Sequence, residues 1–242
     1  MTGKFLYVDL ETRSAIQATV EERPRKRNSV RVVCLSDTHE AHEYVSVPDG
    51  DLLLHCGDLF FQDWSESGSL ARLREFNSYL GSLPHPHKVV IAGNHDQILE
   101  DLGLEGAQKA LSNATYLQDS EIVLEELGGL RIYGSPASPA GHSGNKAFQR
   151  EGRSPGMQEV WGRIPSNVDI LMTHGSNDLL SQEILKKRPA VHVSGHFHGH
   201  YGARFHQDHT VLINAAIMDG RYHPTHTPVV FDYVPPNRVA GH

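Results

Sequence analysis

The stretch "VRVVCLSDTHE", Val30–Glu40, decides how the chain reads. Its first six residues form a β-branched, apolar run of strand length. Just beyond it stand a carboxylate, Asp37, and an imidazole, His39. A negative charge and a metal-capable ring at the end of a buried strand call for partners at the same end of the same sheet.

Those partners follow along the chain. "DLLLHCGD" ends on Asp58, and "KVVIAGNHD" delivers Asn94, His95 and Asp96. "VDILMTHGS" presents His174, and "AVHVSGHFH" presents His196 and His198. "LRIYGS" and "TVLINAA" are two further runs of the same kind. Each ends in a Gly, Asn, His or Ser turn signal. Near-continuous apolarity predicts strands covered on both faces, as in a layered α/β fold.

Helical spacing fills the intervals. Leu70, Leu73, Phe76 and Leu80 recur in "SGSLARLREFNSYLGSLP", which Pro84 stops. "EGAQKALSNA" is a shorter helix. Met157, Val160, Trp161 and Ile164 share one side of "SPGMQEVWGRIP". Leu180, Ile184 and Leu185 share one side of "NDLLSQEILKKRP", whose last turn carries Lys186, Lys187 and Arg188, where cations suit the helix dipole.

Open α/β sheets bind ligands beyond the carboxyl ends of their strands, so mostly parallel strands would bring all these groups together. Carboxylate, imidazole and carboxamide oxygen suit divalent Mn, Fe, Co, Ni or Zn without a thiolate. The spacings Asp37-x-His39 and His196-x-His198 put alternate side chains on one side of an extended segment. A carboxylate has two oxygens and can bridge two cations.

The bulk numbers limit the partners. The 242 residues carry 22 basic against 29 acidic side chains, a net charge of −7, and 38% are hydrophobic. That balance disfavours coating bulk nucleic acid or anionic lipid, and leaves small phosphate substrates open. No run approaches the roughly 18 apolar residues of a membrane span, and the start of the chain shows no signal-peptide pattern. Cys34 and Cys56 lie in apolar runs and read as buried free thiols in a reducing compartment. The cytoplasm is expected. The nucleus stays open because "EERPRKRN" is either a solvated linker or an import patch.

Residues 1–29 read as a leader with room for flexibility, in which "FLYVDL" is either a short strand or a docking segment. Residues 30–242 read as a single domain. The Gly-, Ser- and Pro-rich segment 134–156 is a candidate lid. It holds His142, Asn145, Lys146, Phe148, Arg150 and Arg153. Phe148 could stack a nucleobase, or else anchor the loop to the core, while Lys146, Arg150 or Arg153 could meet a phosphate.

In order, "SDTH", "GD", "GNHD", "THG" and "GHFH" resemble the motifs of the calcineurin-like metallophosphoesterases, over roughly Val30 to Tyr233. "TYLQDSEIVLEELGGLRIYGSP" and "YHPTHTPVVFDY" are similar, more narrowly, to the metallophosphoesterase-domain-containing subfamily, which is akin to class III cyclic-nucleotide phosphodiesterases. The resemblance implies a layered α/β-β-α sandwich of two mixed sheets flanked by helices. It implies two divalent ions, manganese among the candidates, and a hydroxide bridging them that attacks phosphorus. Asp37, His39, Asp58 and His198 would hold one ion; Asp58, Asn94, His174 and His196 would hold the other. His95 would touch the scissile phosphate and protonate the leaving oxygen, oriented by Asp96, and Asn94 would also face substrate. His192 and His200 have no counterpart among the ligands and are expected to be structural. The implied activity is hydrolysis of phosphoric esters, foremost small or nucleotide-type diesters, cyclic ones included. The alternatives are a phosphomonoesterase or nucleotidase with the same site, and a catalytically weak protein-binding scaffold. Oligomeric state is not legible.

Overall fold

All six side chains of Val30–Leu35 are buried, and so are all five of Leu52–Cys56. Strands so thoroughly apolar need cover on both faces, and the computed structural model shows how it is provided. It describes residues 3–61, 66–141, 146–205 and 209–236. His142 and Asn145 of the candidate lid lie outside these residues.

In chain order the strands are β1 (Phe5–Asp9), β2 (Ser14–Ala18), β3 (Val30–Leu35), β4 (Leu52–Cys56), β5 (His87–Ile91) and β6 (Thr115–Tyr116). Then come β7 (Ser120–Leu124), β8 (Leu130–Ser135), and the short pair β9 (Ser138–Pro139) and β10 (Gln149–Arg150). The last are β11 (Ile170–Thr173), β12 (Val191–Ser194), β13 (Gly202–Phe205), β14 (Val211–Asn214) and β15 (Val229–Tyr233). One sheet runs β2-β1-β15-β3-β4-β5-β6 and the other β13-β14-β12-β11-β8-β7. Both are mixed. Within them β3, β4, β5 and β6 are mutually parallel, as are β8, β11, β12 and β14.

The two sheets face each other across one apolar layer that includes Cys34, Leu54, Ile91, Ile132, Met172, Val193 and Phe231. Helices α1 (Glu66–Ser82) and α2 (Gln97–Ala110) cover the outer face of the first sheet, burying Leu73, Phe76, Leu80 and Leu99 against Val33, Leu53 and Val90. Helices α3 (Pro155–Gly162) and α4 (Asp178–Lys187) cover the second, with Met157, Trp161, Leu180 and Ile184 against Tyr133 and Leu171. This is the expected α/β sandwich of two mixed sheets flanked by helices. Leu185, expected on the packed side of α4, is instead 47% exposed. Cys34 and Cys56 are free and fully buried.

The segment read as a leader enters the sheet. "FLYVDL" contributes β1, which pairs parallel to β15, and Phe5, Tyr7 and Val8 are buried. The basic run that follows is tied down: Arg25 bridges Asp51 at 2.7 Å, Lys26 meets Asp9 at 3.3 Å, and Arg23 lies over the Tyr7 ring. No helix among the described residues is long and apolar enough to cross a membrane.

Candidate metal centre

The parallel strands end at one place. Asp37 and His39 follow β3, Asp58 follows β4, and Asn94 and His95 follow β5. From the second sheet, His174 follows β11, and His196 and His198 follow β12. Asp37, His39, Asp58, Asn94, His95 and His174 are all buried. Polar groups buried in such number need compensation.

The backbone bends sharply to deliver them. Asp37 (φ 52), His39 (φ 42), Asp58 (φ 55) and His196 (φ 63) all occupy the left-handed region. A non-glycine residue there costs about 1–2 kcal/mol, and strain of this kind clusters at functional sites. Main-chain bonds hold the turns: Asp37 N donates to the Gly57 carbonyl at 2.9 Å, and His39 N to the Asp58 carbonyl at 3.1 Å. Two motif glycines make room. A Cβ on Gly93 would run into Asp58 Oδ1 and His174 Cε1, and one on Gly195 into Ser36 Oγ and Asp37 Oδ2.

The histidine tautomers follow from their outer partners. A carbonyl oxygen only accepts, so a ring nitrogen facing one must carry the proton. Nδ1 donates to the carbonyl of Phe60 from His39 (2.7 Å), of Cys56 from His174 (2.8 Å) and of Asp219 from His198 (3.1 Å). In the neutral rings, Nε2 therefore turns a lone pair inward. Carbonyl-backed imidazoles are how proteins present histidine to metals. His39 Nε2 and His198 Nε2 stand 3.3 Å apart. His174 Nε2 stands 3.0 Å from Asn94 Oδ1 and 3.3 Å from Asp58 Oδ1. Lone pairs aimed at one another and at carboxylate oxygens repel; a proton or a metal cation between them relieves this.

The donor set fits divalent cations. Three groups have ligand atoms within 4.8 Å of one another: Asp37 with His39 and His198; His39 with Asp58 and His95; and Asp58 with His174 and His196. Asp58 belongs to two of them and faces both ways. Its Oδ1 approaches His174, while its Oδ2 lies 3.7 Å from His39 Nε2 and 4.0 Å from His95 Nε2.

The electrostatics agree. Burial pushes the Asp58 carboxyl up, but His174, His39 and His95 outweigh it and hold the group well below the usual carboxylate range. At Asp37 burial is likewise outweighed, by His198 and His174, and its pKa falls. Burial pushes the His196 ring down to about 4, so it is neutral and able to coordinate near pH 7. At His174 burial is opposed by Asp58 and Asp37, which raise it to about 9. A cation entering there displaces a proton, so metal binding releases protons.

The remaining candidates fall in different places. His95 is buried at the cluster's edge, with Nδ1 donating to the Phe61 carbonyl at 2.8 Å. Asp96 accepts from the main-chain N–H groups of Leu59 (2.9 Å), Phe60 (3.3 Å) and Gly93 (2.7 Å). Its hold on His95 thus runs through the chain: it braces the turn whose next carbonyl, at Phe61, receives the His95 proton. Phe148 does not reach the cleft. It is 5% exposed and packs in the core beside Leu99, Ile98 and Ala147, and its N–H bonds Glu100 Oε1 at 3.0 Å. The stacking role expected of it is therefore withdrawn in favour of anchoring. Arg150 is exposed and turns Nη1 to its neighbour's carbonyl, Gln149 O; Arg153 pairs with Asp178, and Lys146 is exposed.

A cleft of about 400 Å³ opens over the cluster, walled by Asn94, His95, Phe197, His200 and Tyr222. His192 is structural as expected, buried with Nε2 2.8 Å from Thr173 Oγ1. His200 is exposed on the cleft wall instead. The spacing of the strand-end motifs points to neither Tyr222 nor Phe61, which also sits beside the ligands. An aromatic residue in a turn that no core face claims is the only signal either offers.

Comparison with known proteins agrees with this geometry. The profile of the family described as calcineurin-like phosphoesterase matches residues 30–200. UPF0046 protein C25E10.12 of Caenorhabditis elegans is 35% identical, covering 90% of this chain and 86% of its own length. Metallophosphoesterase domain-containing protein 1 of Homo sapiens is 32% identical, covering 89% of this chain and 74% of its own. Among solved structures, TT1561 of Thermus thermophilus aligns with a TM-score of 0.50 at 10% identity, over 77% of this chain and 88% of that one. Another aligns with a TM-score of 0.54 at 14% identity, over 77% and 90%. These two likenesses bear on the fold alone. The strand-end donors, the profile match and the sequence relatives together place this chain in the calcineurin-like phosphoesterase family, the metal-dependent hydrolases of phosphoric esters.

Proposed function

We propose that the chain is a phosphodiesterase acting on small or nucleotide-type diesters, cyclic ones included, at a two-metal centre. The observation that carries the two-metal reading is Asp58, whose oxygens face opposite histidine groups. Asp37, His39, Asp58 and His198 would hold one cation, and Asp58, Asn94, His174 and His196 the other. Bound divalent cations supply Lewis-acid polarisation of phosphoryl oxygens and a water acidified from 15.7 toward about 7.

The protein's own groups do the rest. The four left-handed turns fix the donors before substrate arrives, so little reorganisation is left for the reaction. His95 commits Nδ1 to the Phe61 carbonyl, holds Nε2 4.0 Å from Asp58 Oδ2, and lines the cleft. As an imidazolium it carries a proton at Nε2 for a departing alkoxide, a role worth about 10²–10⁴-fold.

The cleft wall favours a diester. No lysine or arginine stands among its described lining residues. A monoester dianion carries two negative charges and a diester one, so a wall without lysine or arginine suits the diester better. The net charge of −7 fits a small substrate better than bulk nucleic acid, and a cytoplasmic setting suits the free thiols. The test is turnover of bis(4-nitrophenyl) phosphate against 4-nitrophenyl phosphate on metal-reconstituted protein. The diester is expected to be faster by at least about tenfold, within the reach of such differential binding. A faster monoester would make the protein a phosphomonoesterase.

A further inference from the structure

Tyr222 stands over the ligand histidines from the wall of the cleft. Its ring centroid lies 4.9 Å from that of His198, 5.1 Å from His39 and 5.3 Å from Phe61, edge-on in each case. The ring is 43% exposed, and Phe61 beside it is 47% exposed. Two aromatic rings thus meet at 84° beside the metal donors with much of their surface uncovered. Core packing explains neither.

The backbone is bent to put Tyr222 there. Its φ is 60, a conformation in which a bulky side chain is strained and which persists only where its surroundings impose it. Asp219 imposes it. Its Oδ1 accepts from Arg221 N at 2.8 Å and from His223 N at 3.0 Å, and its carbonyl accepts from Tyr222 N at 2.9 Å. The same carbonyl receives the Nδ1 proton of His198. One residue therefore sets both the aim of the aromatic ring and the orientation of a ligand imidazole.

The geometry points to Tyr222, backed by Phe61, as the platform on which an aryl group esterified to the phosphorus stacks, which makes Tyr222 a specificity-determining residue. This rests on the phosphoester reading above. A ring about 5 Å from the ligand histidines meets the group bonded directly to phosphorus. Aromatic faces attract other flat rings in offset or edge-to-face packing. The perpendicular Phe61 ring closes one side of the platform, so a planar group fits better than a flexible chain.

The test separates stacking from catalysis. Phenyl phosphate and methyl phosphate are titrated by calorimetry into metal-loaded wild-type, Tyr222→Ala and Tyr222→Phe proteins. Wild type is expected to bind phenyl phosphate about tenfold more tightly, as one aromatic contact supplies. Tyr222→Ala should reduce the ratio to near unity, and Tyr222→Phe should keep it. Tyr222→Leu replaces Tyr222→Ala if the latter does not fold, since it keeps apolar bulk without a π face. No phenyl preference in wild type, a ratio that survives loss of the ring, or equal loss in Tyr222→Phe overturns the assignment. Turnover of phenyl 4-nitrophenyl phosphate against methyl 4-nitrophenyl phosphate runs in parallel. If wild type hydrolyses neither, the diesterase reading fails on its own, while the calorimetric ratio still decides stacking.

Discussion

His39 and His198 present Nε2 to Nε2 across 3.3 Å, while each gives its Nδ1 proton to a main-chain carbonyl, that of Phe60 and that of Asp219. Neither ring can turn away without breaking that outer bond. Two neutral rings so held would repel; a proton on His198 Nε2, which Asp37 Oδ1 at 3.1 Å favours, or a metal cation between them relieves this.

Metal and stability are therefore linked. Free metal at about a hundredfold above its dissociation constant stabilises by about 2.7 kcal/mol. In a protein of this size that corresponds to about 5–10 °C in Tm. Calorimetry of chelator-stripped protein, before and after addition of manganese or zinc, should show the rise. An unchanged Tm counts against a resident metal.

Asp58 touches both ligand groups, so its loss should affect both. Asp58→Asn keeps the shape and removes the charge. Bound metal should fall to one equivalent or none by elemental analysis. Two retained equivalents would contradict the bridging assignment.

His95 sits beside the donors, with Nε2 4.0 Å from Asp58 Oδ2, and lines the cleft. His95→Ala should keep its metal and lose about 10²–10⁴-fold on substrates with alkyl leaving groups. Nitrophenyl esters leave without a proton and should lose far less. Equal losses on both classes would remove the acid role.

His192 links stability to pH away from the metal donors. Burial pushes its ring from 6.5 down to about 4, and its Nε2 proton is donated to Thr173 Oγ1, whose hydroxyl serves the Gly175 carbonyl. Below pH 6.5 the unfolded chain protonates this imidazole and the folded one does not. Its cost to stability is absent above 6.5, grows as the pH falls toward 4, and approaches about 3 kcal/mol. Urea unfolding of His192→Gln should show a pH dependence between 6.5 and 4 shallower by up to one proton than wild type. Identical slopes would remove His192 as a source.

Strands β3, β4, β5, β8, β11, β12 and β14 were legible because they are buried largely on both faces, whereas the more exposed β2, β7 and β13 carry no such apolar run. "VRVVCL" and "LLLHC" carry that burial in composition, and local chemistry suffices to find them. "EGAQKALSNA" marked only the second part of α2. Gly103, at φ 64, interrupts that helix, so periodicity is continuous only beyond it. Phe148 stayed ambiguous because an aromatic residue in a polar loop reads equally as a tip or an anchor. Its partner Glu100 is 48 residues away and invisible to local spacing. "FLYVDL" posed the same difficulty: its neighbour β15 begins at Val229.

The chain by itself determined which atoms could meet a metal, since carboxylates and imidazoles at the ends of apolar runs have few other places to go in a parallel sheet. Only the tertiary structure decided which nitrogen of each imidazole faces inward, that Asp58 looks both ways, and that Tyr222 rather than Phe148 stands at the cleft. The candidate donors follow from short-range pattern, whereas tautomer, aim and exposure are set by carbonyls and packing partners that arrive from distant parts of the chain.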